Sequence, residues 1–132
     1  MAIERINPAD VYEPNRNIYT QVIKATGAVQ IHVAGIVPWD VDKKLIGAGD
    51  MAAQVARILQ NIESALASVR ATRRDIVRIN VYTVDIDRYI HQGSPVLKEF
   101  FGDAKPVSTT VEVSRLVHPD WLVEIEATAI ID

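Results

Sequence analysis

Polar residues able to do chemistry gather toward the C-terminal end of this 132-residue chain. Ser108, Thr109 and Thr110 place three hydroxyls in a row, and Glu124 and Glu126 stand two residues apart within Val123-Glu124-Ile125-Glu126-Ala127. Hydroxyls can line a polar cleft, and a carboxylate can orient or deprotonate a water molecule. Both groups also have structural readings: β-branched residues favour strands, and strand alternation alone turns Glu124 and Glu126 outward together. His32, His91 and His118 have neither i, i+4 pairing nor second-ligand spacing, so no metal is expected. The absence of cysteine excludes a disulfide framework, a thiolate nucleophile and a cysteine-rich zinc site. No glycine-rich phosphate loop and no Ser-His-Asp arrangement can be read, and no cofactor is expected. Trp39 and Trp121 fall in loops, where they could pack a subunit contact or line a cleft.

Composition sets the frame. A chain of this length is expected to be one domain, residues 1–132, with enough core to fold by itself. An apolar fraction of 48% and a charged fraction of 23% are those of an ordinary globular protein. Net charge is −3 and no window holds a dense Lys/Arg run. That balance argues against nucleic acid as a partner, because phosphate-driven binding needs a basic footprint. The densest basic spot, Arg70 to Arg74, reads as a solvated helix end. No apolar run approaches 18 residues and no secretory leader is visible, so a soluble, cytoplasmic protein without a membrane partner is expected.

The elements that must position these groups follow from periodicity. Residues 1–17, with Pro8 and Pro14, read as an irregular arm. Tyr19 to Ala25 and Val29 to Ala34 read as strands of a hairpin around Thr26-Gly27. Gly35 to Gly49 reads as a loop, and Asp50 as the cap of a helix from Met51 to Val69. Val55, Ile58, Leu59, Ile62, Leu66 and Val69 form its apolar stripe, while Gln54, Arg57, Asn61 and Ser64 lie off it. Val77, Ile79 and Val81 alternate with Arg78, Asn80 and Tyr82 as a half-buried strand. Asp85 or Asp87 caps a second helix to about Phe101, in which Pro95 predicts a new first turn or a kink, and Gly102 ends it. Two further strands follow, carrying Thr109, Val111 and Val113, and then Val123, Ile125, Ala127 and Ala129. The order is β-β-α-β-α-β-β, an α+β fold. Two helices cover only one face of such a sheet, so the other face is expected to self-associate.

Taken in order, several short segments resemble the reactive intermediate (imine) deaminase family, also called Rid or YjgF. They are Ala34-Gly35-Ile36-Val37-Pro38, Asn61-Ile62, Val77-Arg78-Ile79-Asn80-Val81-Tyr82, Phe100-Phe101-Gly102, Lys105-Pro106, Val111-Glu112-Val113, Arg115-Leu116, and Val123-Glu124-Ile125-Glu126-Ala127. The resemblance runs from about Tyr19 to the C-terminus. It implies a chorismate-mutase-like fold, two helices on one face of a mixed sheet, assembled as a homotrimer. It also implies small-molecule clefts between neighbouring subunits.

It further implies roles for particular positions. Tyr19 matches a tyrosine that lines the cleft, Glu124 a glutamate that positions the attacking water, and Thr110 a residue whose backbone contacts ligand. Two positions depart from the family pattern. Ala34 stands where a serine is usual, and Ser108 where an arginine grips the substrate carboxylate. A guanidinium binds a carboxylate through two charge-assisted hydrogen bonds, and a serine hydroxyl cannot replace it. Arg115, Arg16 or Arg78 could supply the cation from another position. The reading is therefore a Rid-like protein that hydrolyses an enamine, imine or related C–N compound without an essential carboxylate. The alternative is a non-catalytic trimer binding a small metabolite. The ribonuclease or translation-inhibitor activity often attached to this family is disfavoured by the acidic balance.

Overall fold

The computed structural model describes residues 2–14 and 17–132. The central layer is a mixed four-stranded sheet of order β3-β6-β4-β5, in which β3 is Val29–Ile36, β4 Ile76–Thr83, β5 Val107–Glu112 and β6 Val123–Ile131. β4 and β5 are parallel; the other pairs are antiparallel. Alternation decides the faces. Ile79, Val81, Val123, Ile125, Ala127 and Ala129 turn to one side and are buried, and the helices cover that side. Arg78, Asn80, Tyr82, Glu124, Glu126 and Thr128 turn to the other, which no helix covers.

α1, Met51–Ala67, starts where Asp50 accepts a hydrogen bond from the Ala53 N–H at 3.0 Å. It buries Val55, Ile58, Leu59, Ile62 and Leu66 as its spacing predicts, together with Met51. Two details depart from the expected stripe. Val69 lies past the helix end and is 45% exposed. Gln54, expected off the stripe, is fully buried. Its amide nitrogen donates to the Gly47 and Asp120 carbonyls at 3.0 and 3.1 Å, and its oxygen accepts from the Leu122 N–H at 2.8 Å. A buried polar group is tolerated when its bonds are made. Nothing local announces these partners, which lie in two separate loops. Asn61 similarly donates to the Val37 and Trp39 carbonyls.

Beyond α1 the chain closes a helix stop in which Ala71 N–H donates to the Leu66 carbonyl and Arg70 N–H to that of Ala67. This pattern places Arg70 in the left-handed region, at φ +61°, where glycine is preferred. Replacing Arg70 by Gly should therefore raise the unfolding free energy by about 1 kcal/mol. Urea titration checks this, and an unchanged or lower midpoint would count against it. The neighbouring arginines are engaged at the surface: Arg74 pairs with Asp103 at 3.0 Å and Arg73 lies over the Phe100 ring.

The second helical segment has three parts. Asp85 caps α2, Ile86–Arg88, by accepting from the Arg88 N–H. A π-turn, Tyr89–Gly93, follows, and α3, Ser94–Phe101, begins with Pro95 in its first turn. Pro95 cannot donate to a preceding carbonyl, and the π-turn accommodates the break. Gly102 closes α3 at φ +57°.

The N-terminal expectations need two corrections. The arm is not irregular throughout, because Ala2–Ile6 forms β1 and pairs antiparallel with β2, Val22–Thr26. Nor is there a β2–β3 hairpin at Thr26-Gly27; β2 pairs with β1, and β3 with β6. The element order thus gains a strand at its start. Gly27 sits so close to β6 that a side chain would meet Ile130 Cγ2 at 2.7 Å and the Ile131 carbonyl at 2.8 Å. The chain turns there instead of continuing into paired strands. The β1–β2 ribbon is held against the start of β5. Thr20 Oγ1 donates to the Lys105 carbonyl at 2.6 Å and Arg5 Nε to the same oxygen at 3.3 Å, while Thr20 N–H donates to Pro106 O.

Candidate functional site

On the helix side of the sheet, at its β5 edge, lies a cavity of about 320 Å³. β5 contributes Ser108 and Thr110, aligned with Ile79 and Val81 of β4 and so on the same face. The segment after the N-terminal arm contributes Ile18 and Tyr19, and the helical segment Ile86, Tyr89, Ile90, Ser94 and Leu97. Apolar walls with a few hydroxyls are the usual make-up of a small-molecule site. Among the described residues no Lys, Arg, Asp or Glu lines it.

The open face carries the carboxylates. Tyr82 Oη donates to Glu126 Oε1 at 2.7 Å, and Asn80 Nδ2 donates to the same oxygen at 3.0 Å. The Glu126 hydrogen bond in turn raises the Tyr82 phenol above its ordinary pKa. Glu124 stands beside this trio and directly across from Tyr82 on β4. Burial, then the charge of Glu126, raise its carboxyl pKa. A raised carboxyl pKa favours the protonated form in the folded state, so that contribution to stability is lost as pH rises through the raised value. The same shift brings the group nearer the range in which it can exchange a proton with substrate.

β3 makes room for Glu124. Its register with β6 runs Val33↔Ala127, then Ile36↔Ile125, leaving Ala34 and Gly35 as a bulge opposite Glu126. Gly35 lies against the Glu124 carboxylate; a Cβ there would overlap Glu124 Oε2 and come within 2.9 Å of its Cδ. Ala34, with His32, Arg78, Asn80 and Glu126, lines a polar concavity on this same face.

Tyr19, Ser108 and Thr110 are therefore brought together, while Glu124 and Ala34 lie on the opposite face of the same sheet. Arg115 is exposed in the loop after β5 and lines neither site. Arg16 lies outside the described residues. Trp39 and Trp121 meet each other edge to face at 4.9 Å, with His118 stacked on Trp121 at 5.7 Å. Among the described residues no three His, Asp or Glu side chains gather closely enough to hold a metal ion. Sequence reasoning passed over Tyr89, Asn80 and the Tyr82–Glu126 bond. The parity shared by Tyr82 and Asn80 was visible; their pairing with β6 was not. For Tyr89 the available signal was Gly93 and Pro95 breaking a helical pattern.

Most of the chain is similar to known proteins of one family. A family model described as Endoribonuclease L-PSP matches residues 12–131. A RutC family protein of Pyrococcus abyssi is 38% identical over 111 residues, 84% of each chain. The 3-aminoacrylate deaminase RutC of Acinetobacter baylyi is 32% identical over 113 residues, covering 84% of this chain and 85% of its own. Among solved structures, the Rid family protein YyfB from Yersinia pestis superposes with a TM-score of 0.91 at 29% identity, covering 99% of this chain and 100% of that one. Rv2704 of Mycobacterium tuberculosis, a YjgF/YER057c/UK114 family member, gives 0.66 at 32% identity, covering 98% and 100%.

Proposed function

The chain belongs to the endoribonuclease L-PSP family, which includes the Rid and RutC proteins, and we propose that it hydrolyses an enamine or imine lacking an essential carboxylate. Water adds to the C=N carbon, reached from an enamine by tautomerisation. Glu124 orients that water and takes its proton. That proton passes to nitrogen to give a neutral carbinolamine; its hydroxyl proton then moves by way of Glu124 to nitrogen as the C–N bond breaks, leaving ammonia and a carbonyl compound. Thr110 backbone groups, with Tyr19 and Ser108, hold the substrate.

The observation that carries this reading is Glu124 itself. It is a carboxylate with a raised pKa, pressed against a glycine in a strand bulge and beside a second carboxylate held by two donors. A carboxylate perturbed by burial and by a neighbouring charge is a candidate acid–base group. Serine at position 108 and a cavity with no charged lining among the described residues favour a neutral substrate over 3-aminoacrylate, the compound in the name of the Acinetobacter relative.

The same reading includes a homotrimer. Tyr19, Ser108 and Thr110 face the helix side and Glu124 the open side, so one chain cannot present both to one small molecule. A neighbouring copy can. The open face also leaves Val111, which pairs with Tyr82, 41% exposed. Among the described residues no helix is long and apolar enough to cross a membrane. The net charge of −3 counts against RNA as the substrate despite the family's description.

Ammonia release decides between hydrolase and binder. The substrates are 3-aminoacrylate, 2-iminobutanoate and a carboxylate-free imine, each generated in situ. The carboxylate-free imine should turn over fastest, and Glu124→Gln should lower its rate by roughly 10²-fold. Silence with every imine would remove the hydrolase and leave the non-catalytic binding trimer, which the loss of arginine at 108 favours as the second reading.

A further inference from the structure

Tyr89 is the least expected feature of the helix-side cavity. Its side chain is 3% exposed, yet among the described residues its hydroxyl has no hydrogen-bond partner, although it lines the cavity. The ring is buried but its hydroxyl opens to the cavity, where it is a donor available to a ligand. The fold takes trouble to hold it there. Tyr89 opens the π-turn, whose closing bond runs from Ser94 N–H to the Tyr89 carbonyl. π-turns inside helices recur at functional sites because they redirect a side chain. Gly93 lets the ring lie against the following turn; a Cβ there would meet Tyr89 Cδ1 at 2.7 Å, and Val55 Cγ2 at 3.1 Å. Ser94, the neighbouring hydroxyl, is already committed, donating to the Ile90 carbonyl at 2.7 Å.

We infer that Tyr89 is the specificity residue of this cavity, donating its hydroxyl hydrogen to an acceptor atom on a neutral, largely apolar ligand. The inference rests on the proposed site but not on its catalysis. Three observations converge on a neutral ligand: the cavity walls are apolar, its polar groups are hydroxyls, and no charged side chain among the described residues lines it. Burial raises the phenol pKa well beyond its ordinary value, so the group stays a donor at every working pH. A carboxylate entering the same space would lose its hydration and meet neutral hydroxyls in place of a cation, a poor exchange. A carbonyl or amide oxygen has far less hydration to lose and gains a buried hydrogen bond.

Calorimetric titration with a matched pair of probes tests this. Benzamide and benzoate share size and shape and differ in charge. The unmodified protein should bind benzamide saturably and at least tenfold more tightly than benzoate. Tyr89→Phe keeps the ring and removes the donor; it should weaken benzamide by about tenfold, the worth of one buried hydrogen bond, and leave benzoate unchanged. Ser108→Arg, at a half-buried strand position, should reverse the preference toward benzoate. Equal or reversed preference in the unmodified protein, absence of saturable benzamide binding, or an unaltered Tyr89→Phe affinity would each overturn the inference. None of these readouts depends on turnover. A protein that binds benzamide through Tyr89 yet releases no ammonia would sustain this inference while refuting hydrolysis.

Discussion

Gln54→Leu is expected to destabilise the protein by about 3 kcal/mol, although leucine is apolar, similar in volume and placed in a fully buried position. The substitution removes both partners' worth of chemistry from one side chain. It strips the Gly47 and Asp120 carbonyls of a donor and the Leu122 N–H of an acceptor. Each buried group left unpaired costs about 1–3 kcal/mol. The sites are partly buried, so water recovers some of this, and the lower part of the summed range is the expectation. Added apolar transfer offsets less than it would at a site without polar neighbours. The damage should also be directional. Leu122 immediately precedes Val123 and Glu124, so releasing its N–H loosens the entry to β6, where the candidate carboxylate sits. Urea unfolding at fixed protein concentration measures the loss, the fixed concentration being needed because self-association would shift the midpoint. A loss below 1 kcal/mol would show that the three bonds are replaced by water without cost.

The second large effect should be functional and nearly silent in stability. Gly35→Ala places a methyl group in the space of the Glu124 carboxylate, within 2.9 Å of Glu124 Cδ. Glu124 is a flexible, partly exposed side chain, so it swings aside and the fold survives. The gain from restricting the unfolded chain at Gly35 offsets part of the crowding. The carboxylate, however, no longer stands where the bulge held it. Ammonia release should fall by roughly 10²-fold, as for removal of an acid–base group, with the unfolding midpoint changed by less than about 1 kcal/mol. A double-mutant cycle separates this mechanism from general damage: in a Glu124→Gln background, Gly35→Ala should have almost no further effect on rate. Additive losses in the cycle would mean that Gly35 acts through something other than Glu124.

Both effects show which features were legible along the chain. Periodicity alone marked α1, because Val55, Ile58, Leu59, Ile62 and Leu66 recur at helical spacing and only one face of a helix can meet a core. Alternation alone marked β4 and β6, and Asp50, Gly102 and the pair Asp85 or Asp87, of which the structure uses Asp85, marked helix ends, because capping depends on residues within a turn of one another. These are short-range rules, and a single sequence contains what they need. The family resemblance likewise rested on ordered short segments, and it named Tyr19, Ser108, Thr110 and Glu124 as positions of interest.

What tertiary structure decided is of another kind. Whether β2 pairs with β1 or with β3 depends on which edge is free and on how closely Gly27 approaches β6, relations between residues far apart in the chain. Gln54 read as an outward polar residue because its three partners belong to loops elsewhere in the sequence. The π-turn that aims Tyr89 inward balances a proline, a glycine and the packing of Val55. The order β3-β6-β4-β5 puts the hydroxyl-lined cavity on one face and Glu124 on the other. Local pattern states which way each side chain points from its own backbone; it does not state what stands opposite, because that depends on how distant segments pack and on which buried polar groups find one another.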